Sequence, residues 1–395
     1  MNKDLIKKEV ERISDLIFDD VVGYRKWIHQ HPELSFQEEK TSKYICSILE
    51  NNNIKFSNNI GGYGIVATIE GNNPKSRVVG FRADMDALPI KEENQVEYKS
   101  KNDGVMHACG HDVHSSILLG TAIVINKLKI NLKGTIKFLF QPAEEKLPGG
   151  ASLMIKEGVL ENPKVQKMIA LHVFPEMEVG NVGFRKGQYM AACDELKFEI
   201  IGKGGHAALT EKTINPITIA SDLILKTKKK IEDIKTKSPY VLEYGDFRAF
   251  GASNVIPKKA YVEGTLRTMD EVFRKKVHSV LLQEVKKIEK KHQAICRFKI
   301  TKGYPSLFND PVVTEDCIKL SADFLKEKNI YTLPIRMASE DFSFFSQECP
   351  SSFFRLGVAN SKKGIVHLVH TPKFNIDHDA IRIGLNLMSY FAFKI

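Results

Sequence analysis

The chain has 395 residues, of which 43% are hydrophobic and 27% are charged, values that are ordinary for a globular protein. This length suits two or three domains at about 150 residues per domain, and 26 glycines with 15 prolines exclude a collagen-like or low-complexity chain. The formal net charge of +10 is unusual, but the lysines are scattered and lie outside any recognisable nucleic-acid module, so we expect no nucleic-acid partner.

The sequence predicts a cytoplasmic protein with no membrane partner. It contains no apolar run of the roughly 18 residues that a membrane span requires. The first residues mix charged with apolar side chains and lack the uncharged segment of a signal peptide. The 6 cysteines have irregular spacings and form no CxxC pair, so we expect reduced thiols.

The N-terminal part of the chain alternates predicted strands with predicted helices. Such alternation is typical of an α/β sheet that helices cover on both faces. The predicted helices are 37–51, 115–128 and 151–157, and the predicted strands are 64–69, 77–81, 134–140 and 168–172.

Near residue 188 the pattern changes to a β-α-β-β-α-β order, which is that of the ferredoxin-like split motif. Its predicted strands are 196–201, 240–247, 260–268 and 294–301. Asn215 with Pro216 is expected to cap and open the first helix, and the second is expected to start at Asp270. We therefore predict an α+β domain over residues 188–302, inserted into an α/β domain of residues 1–187 and 303–395.

In the last part of the chain the alternation of helices and strands resumes. The predicted elements are a helix over 315–327, a strand over 352–356 and a final helix from His378.

Four short segments concentrate the side-chain types that bind metal ions. Most of them lie at a predicted strand end or helix start, where α/β sheets place ligand sites. Each segment alone has an ordinary interpretation, such as a satisfied histidine or a solvated turn. Two adjacent carboxylates after a buried strand are costly, however, unless a cation compensates them. The segments are 106–114, 141–145, 171–172 and 367–370.

Taken together and in chain order, the motifs around these residues resemble those of the M20 metallopeptidases and amidohydrolases. The similarity is to the branch of N-acyl-L-amino acid amidohydrolases, hippurate hydrolases and auxin-conjugate hydrolases, and it covers nearly the whole chain. Its most diagnostic segments are His-Ala-Cys-Gly-His-Asp at 107–112 and Gln-Pro-Ala-Glu-Glu at 141–145. The other matching segments are 25–33, 41, 80–89, 149–151, 202–208, 254–257, 264–268, 337–342 and 370–372.

The resemblance implies a metal-dependent exopeptidase-like catalytic domain with two divalent metal ions. The implied ligands are Cys109 as the bridging residue, His111, Glu145, His172 and His370. A thiolate, imidazoles and a carboxylate suit zinc, manganese or cobalt better than calcium or magnesium. We therefore expect zinc or manganese, with cobalt or nickel as alternatives.

The resemblance also implies roles for three carboxylates. Glu144 would be the general base that takes a proton from water and delivers it to the leaving amine. Asp86 would support a metal-ligand group, and Asp84 could share that task.

By the same resemblance, the inserted domain would be a lid and dimerisation domain that contacts substrate. His206 would stabilise the oxyanion of its own or of the partner subunit's site, Asn254 would orient the amide and Arg267 would hold the substrate carboxylate. One departure weakens any specific substrate assignment, because residues 209–213 replace a Pro-His pair that many relatives have. Cys193, where relatives often have serine, is interpreted as a packing change.

We expect a hydrolase that cleaves the amide bond of N-acyl-L-amino acids. The alternatives on the same di-metal site are a dipeptidase or carboxypeptidase and an N-acetyl-diaminopimelate deacetylase. A relative that only binds ligands would be expected to lose the base or a ligand, and all of them are kept. The expected assembly is a homodimer through the inserted domain or a higher homo-oligomer.

Overall fold

The computed structural model describes residues 3–395, and the chain divides into two units. The first unit comprises Met1–Tyr189, Phe308–Ile335 and Asp341–Ile395. The second unit comprises Met190–Leu307 and Arg336–Glu340. The second unit is thus inserted into the sequence of the first.

Helices and strands alternate along most of the described chain. The α-helices are α1 (Lys3–Leu16), α2 (Phe18–Gln30), α3 (Glu39–Asn51), α4 (His111–Lys127), α5 (Gly150–Lys156), α6 (Pro216–Glu232), α7 (Glu271–His292), α8 (Pro311–Ser321), α9 (Ser343–Glu348) and α10 (Asp379–Lys394). The strands are β1 (Lys55–Ile60), β2 (Gly64–Glu70), β3 (Val78–Asp84), β4 (Thr135–Gln141), β5 (Lys167–Glu178), β6 (Val182–Phe184), β7 (Gly187–Met190), β8 (Ala192–Ile201), β9 (Gly205–His206), β10 (Tyr240–Arg248), β11 (Val255–Ile256), β12 (Lys259–Thr268), β13 (Ile295–Lys302), β14 (Leu307–Asn309), β15 (Ile330–Thr332) and β16 (Ser351–Ala359).

The first unit is built on an eight-stranded sheet with the strand order β1-β2-β4-β3-β5-β16-β6-β15. The central pairs β4–β3, β3–β5 and β5–β16 are parallel. Strands β3, β4 and β16 are buried at every residue, as expected for central strands with both faces covered. The apolar helix α4 is buried from His111 to Ile125. The predicted covered α/β sheet is therefore confirmed.

The ends of the parallel strands define the edge of the sheet where the site lies. Strands β3 and β4 end side by side, with Asp84 paired to Gln141. Because Arg82 pairs with Ala170, His172 on β5 lies level with Asp84. The prediction that a strand ends at His172 was wrong, since β5 continues to Glu178 and stays paired with β16.

The second unit has a four-stranded antiparallel sheet in the order β10-β12-β8-β13. Helices α6 and α7 pack on it through an apolar core that includes Phe198, Leu223 and Leu281. This is the predicted ferredoxin-like arrangement. Asn215 caps α6 as predicted, because its side chain accepts a hydrogen bond from Ile217 N at 3.0 Å.

The helix predicted over 315–327 is displaced in the structure. Helix α8 starts at Pro311, since the Asp310 side chain accepts hydrogen bonds from Val312 N and Val313 N, both at 2.9 Å. It ends at Ser321, and a turn follows in which Leu325 N donates to Ser321 O. The start signal, an Asp followed by Pro, is of the same kind as the Asn-Pro pair that opens α6.

Over residues 3–395, each helix is either too short or too polar to cross a membrane.

Candidate metal centre

The five predicted metal ligands converge at the edge of the sheet in the first unit. Cys109 Sγ lies 3.4 Å from His172 Nε2 and 3.3 Å from His370 Nε2. Glu145 Oε1 lies 3.3 Å from His370 Nε2 and 3.9 Å from His111 Nε2. The ligand atoms form two groups, one with His111 and His172 and one with Glu145 and His370, and Cys109 belongs to both. Within each group the atoms lie no more than 4.8 Å apart, so the thiol sits between two candidate cation positions.

The local backbone explains how two ligands so close in sequence face the same point. Gly110 at the start of α4 has a φ of 82°, in the left-handed region that favours glycine. A Cβ at this position would lie only 2.5 Å from Val173 Cγ2, so glycine is required there. The His370 loop is tied to the same turn, because His370 N donates to Ala108 O at 2.7 Å.

The donor set fits a divalent metal ion. His111 Nε2 and Glu145 Oε1 are buried and form no hydrogen bond of normal geometry within the described residues, and the contact of Glu145 Oε1 at 3.3 Å is to another predicted ligand, His370. His172 Nδ1 donates to Val173 O at 2.8 Å, which leaves Nε2 as a lone-pair donor facing Cys109 Sγ. Buried polar atoms without partners are costly, and a cation would satisfy them. Sulfur, imidazole nitrogen and carboxylate oxygen together favour a transition metal over calcium or magnesium.

Asp86 connects two of the ligands. His111 Nδ1 donates to Asp86 Oδ1 at 3.2 Å, and Asp86 Oδ2 accepts from Glu145 N at 3.0 Å and from Ser35 Oγ at 2.6 Å. Burial opposes ionisation of Asp86, but the hydrogen bond from His111 keeps its pKa below the ordinary value. The bonded Nδ1 leaves His111 Nε2 directed at the cluster, as in many metal sites.

Asp84 belongs to a second chain of hydrogen bonds that the sequence analysis did not resolve. His114 Nδ1 donates to Asp84 Oδ1 at 2.6 Å, and Arg82 Nη1 donates to Asp84 Oδ2 at 2.7 Å. His114 Nε2 accepts a hydrogen bond at 2.9 Å from the backbone NH of Val173, the residue after the predicted ligand His172. Burial lowers the pKa of His114, which agrees with a neutral ring that donates once and accepts once. Its spacing of three residues from His111 on α4 was the available signal.

Glu144, the predicted general base, is buried, with 7% of its surface exposed. One of its carboxylate oxygens lies within 4.8 Å of ligand atoms of His111 and Glu145. Asp341 N donates to Glu144 Oε1 at 3.4 Å. The Asp341 carboxylate is held by Arg82 Nη2 at 2.7 Å. Asp341 lies in a segment that matches a family motif, and no role for it follows from the sequence alone.

The pKa shifts show which ligands hold a proton before metal binds. Burial raises the pKa of the Cys109 thiol, and the hydrogen bond with Cys109 raises the pKa of His370 to about 10. Burial disfavours the cationic form of His111, but the Asp84 carboxylate overrides it and raises the pKa well above the ordinary value. Burial lowers the pKa of His172, which therefore stays neutral. A metal ion bound by Cys109, His370 and His111 would compete with protons for these side chains.

The remaining predicted residues lie in the second unit. His206 on β9 is exposed, and its Nδ1 accepts from Ala208 N at 3.1 Å. Asn254 is also exposed and directly precedes β11, in which Val255 pairs with His206, and Asn254 O accepts from Ala207 N at 2.9 Å. Arg267 on β12 is partly buried, and its Nη1 donates to Met337 O at 3.2 Å. The structure thus places His206 and Asn254 on neighbouring backbone segments of one ribbon and Arg267 on a central strand of the four-stranded sheet.

Comparisons with known proteins agree with this architecture. The model of peptidase family M20/M25/M40 matches residues 80–394. The N-acyl-L-amino acid amidohydrolase of Geobacillus stearothermophilus is 40% identical over 306 residues, covering 77% of this chain and 82% of that protein. Thermostable carboxypeptidase 2 of Saccharolobus solfataricus is 36% identical over 396 residues, covering 98% of both chains. The crystal structure of a dinuclear metal-binding M20 peptidase of Bacillus subtilis has a TM-score of 0.81 at 30% identity, covering 96% of this chain and 98% of that one.

Proposed function

Because the chain belongs to peptidase family M20/M25/M40, we propose that it hydrolyses N-acyl-L-amino acids. The products are a carboxylic acid and a free amino acid. The observation that carries the proposal is Cys109, which is shared by two groups of ligand atoms beside the buried Glu144 carboxylate. The named activity of the Geobacillus relative supports the acyl amino acid as the substrate class.

Two divalent metal ions per subunit are part of this proposal. Cys109 with His111 and His172 would hold one ion, and Cys109 with Glu145 and His370 would hold the other. We expect zinc or manganese, with cobalt or nickel as alternatives, because the ligands combine a thiolate with imidazoles and a carboxylate. Such ions polarise a carbonyl and make water a better nucleophile at neutral pH.

Glu144 acts as the general base in this proposal. Its carboxylate takes a proton from the attacking water as the water oxygen bonds to the amide carbonyl carbon. When the C–N bond breaks, the protonated Glu144 returns that proton to the leaving amine. The amide NH of Asp341 holds one carboxylate oxygen in place at 3.4 Å. Asp86 orients His111 and the Glu145 backbone by the hydrogen bonds described above.

The second unit supplies the substrate contacts of the proposal. His206 stabilises the oxyanion and Asn254 orients the amide, since both side chains are exposed on one ribbon. Arg267 binds the substrate carboxylate by a charge-assisted pair. We propose that the inserted domain, residues 188–302 by the sequence prediction, serves as lid and dimerisation domain of a cytoplasmic homodimer.

A peptidase activity is the second candidate, and the similarity to thermostable carboxypeptidase 2 favours it. The two activities share the ligands and the base and differ in the group that the amide nitrogen or carbonyl carries. The alternative therefore concerns specificity rather than the metal centre.

Turnover by the metal-reconstituted enzyme tests both candidates. The substrates are N-acetyl, N-benzoyl and N-indoleacetyl amino acids, alongside dipeptides. Higher kcat/KM on acyl amino acids supports the proposal, and hydrolysis confined to dipeptides supports the peptidase. Full activity after exhaustive chelation would contradict a metal-dependent mechanism.

A further inference from the structure

A buried glutamate outside the metal centre contacts the backbone that carries the two catalytic carboxylates. We propose that Glu38, directly before α3, is a positioning residue that holds the turn at Ala143 and thereby places Glu144 and Glu145. The proposal rests on the roles assigned above to Glu144 and Glu145.

The hydrogen bonds of Glu38 join two segments that are far apart in sequence. Glu38 is fully buried, with 0% of its surface exposed. Its Oε1 accepts from Ala143 N at 2.8 Å and from Phe36 N at 3.0 Å. Its Oε2 is also buried and has no hydrogen-bond partner among the described residues. Burying a carboxyl group costs free energy unless hydrogen bonds replace those it made with water. Here the replacing hydrogen bonds come from the backbone NH groups of Ala143 and Phe36.

The turn at Ala143 has a backbone conformation that needs support. Ala143 has a φ of 51°, in the left-handed region that L-residues other than glycine rarely adopt. Its NH donates to Glu38, and its carbonyl accepts from Gly150 N at 2.9 Å. Both polar groups of the strained residue are therefore held, and the two residues that follow are the proposed base and a proposed ligand.

Removing the Glu38 carboxylate, which holds the Ala143 NH, should let the Ala143 backbone relax out of the left-handed region. Such a change rotates the next peptide units and moves both carboxylates relative to His111. A displacement of about 1 Å at reacting groups can cost on the order of 100-fold in rate. Glu38 thus has a role in catalysis without touching a ligand atom or substrate.

Glutamine is a close replacement for this carboxyl group. Burial and the neighbouring Asp86 carboxylate raise the pKa of Glu38 to about 7, so this position disfavours the charged form of the side chain. A glutamine Oε1 can accept the same two NH bonds. Glu39 provides a control one residue later, because its side chain is exposed and pairs at the surface with Lys43 at 2.6 Å, a type of ion pair that contributes little to stability.

The test compares E38A, E38Q, E39Q and the double variant E38A with A143G. Steady-state kcat and KM are measured with saturating metal, and metal affinity is measured by competition with a chelator. We expect E38A to lower kcat and metal affinity by about 10–100-fold, the usual range for residues that orient ligands, with little change in KM. E38Q and E39Q should stay within about threefold of wild type.

The double variant separates positioning from general destabilisation. Glycine adopts a positive φ without penalty, so A143G in the E38A background should recover part of both losses. If E38A does not fold, the double variant is expected to fold and to be active. Three results would each overturn the positioning role of Glu38. They are an E38A enzyme equal to wild type, an E38Q enzyme as impaired as E38A, and a double variant without recovery.

A parallel E145A variant shows whether a negative result concerns only the role of Glu38 or the proposed metal centre as a whole. Unchanged metal affinity in E145A would overturn Glu145 as a ligand, and with it the proposed centre. A strong loss of affinity in E145A together with a normal E38A enzyme would overturn only the role of Glu38.

Discussion

Replacing Asp86 with asparagine tests whether ligand orientation sets metal affinity. The two carboxylate oxygens accept three hydrogen bonds, from His111 Nδ1, Ser35 Oγ and Glu145 N. Asparagine has one acceptor oxygen and one NH2 donor. Whichever way the amide turns, its NH2 group faces at least one of these donors. The substitution therefore keeps the volume and removes a defined part of the hydrogen bonding.

The size of the effect follows from the burial of this group. Asp86 is 1% exposed, so water cannot replace a lost partner. A hydrogen bond to a charged group contributes about 1.5–3 kcal/mol. At about 1.4 kcal/mol per tenfold change, the loss of one such bond predicts a metal affinity about 10–100-fold weaker. Ligand-orienting partners in other metal sites have effects of about the same size.

The assay is metal titration against a competing chelator at fixed pH, with kcat measured at saturating metal. D86N should need more metal for full occupancy and should regain much of its activity once saturated. Asp103 offers a matched control, because its carboxylate is 84% exposed and pairs with Lys91 at 3.2 Å. D103N should bind metal like wild type. A D86N affinity within about twofold of wild type would refute the orientation argument.

Other predictions address the base, the ligands and the substrate contact. E144Q should lower kcat by about 10²–10⁴-fold with metal affinity retained, and near-normal turnover would exclude Glu144 as the base. Metal affinity should rise with pH up to about 10. The pKa values of Cys109 and His370 are raised, so near neutral pH a metal ion must compete with protons on these side chains, and this competition weakens as the pH rises. Calorimetry in buffers of different ionisation enthalpy should show this proton release near neutral pH, and its absence would contradict the assigned ligands. R267A should raise KM about 10-fold or more for substrates with a free α-carboxylate and leave acyl-amine analogues little changed; an equal loss on both would show that Arg267 does not bind the carboxylate.

Local sequence patterns were sufficient to predict most elements and the segments rich in possible metal ligands, and the family resemblance supplied the individual ligands. Polar residues that follow buried apolar strands stand out in the sequence, and parallel strands end at the same edge of a sheet. Asp84 and Gln141 are paired at that edge, and His172 is level with them. The order of strands and helices likewise predicted the ferredoxin-like sheet of the second unit. These features depend on periodicity and turn chemistry, which act over a few residues.

Contacts between distant residues could not be predicted in this way. Glu38 and Ala143 are 105 residues apart, and Arg82 and Asp341 are 259 residues apart. No local pattern relates the members of either pair. The length of β5 depends in the same way on its pairing with β16, since its own residues gave a shorter strand. The start of α8 is different, because Asp310 followed by Pro311 is a local start signal that is visible in the sequence.

Arg82 shows why such contacts matter for the chemistry. One side of its guanidinium binds Asp84, and Asp84 is linked through His114 to the backbone of Val173, next to His172 in the middle of β5. The other side binds Asp341, whose amide contacts the Glu144 carboxylate. A buried charge that loses its partner is strongly destabilising, so neither carboxylate can move away without a large cost. Arg82 therefore connects the side of the predicted ligands with the side of the predicted base through buried ion pairs.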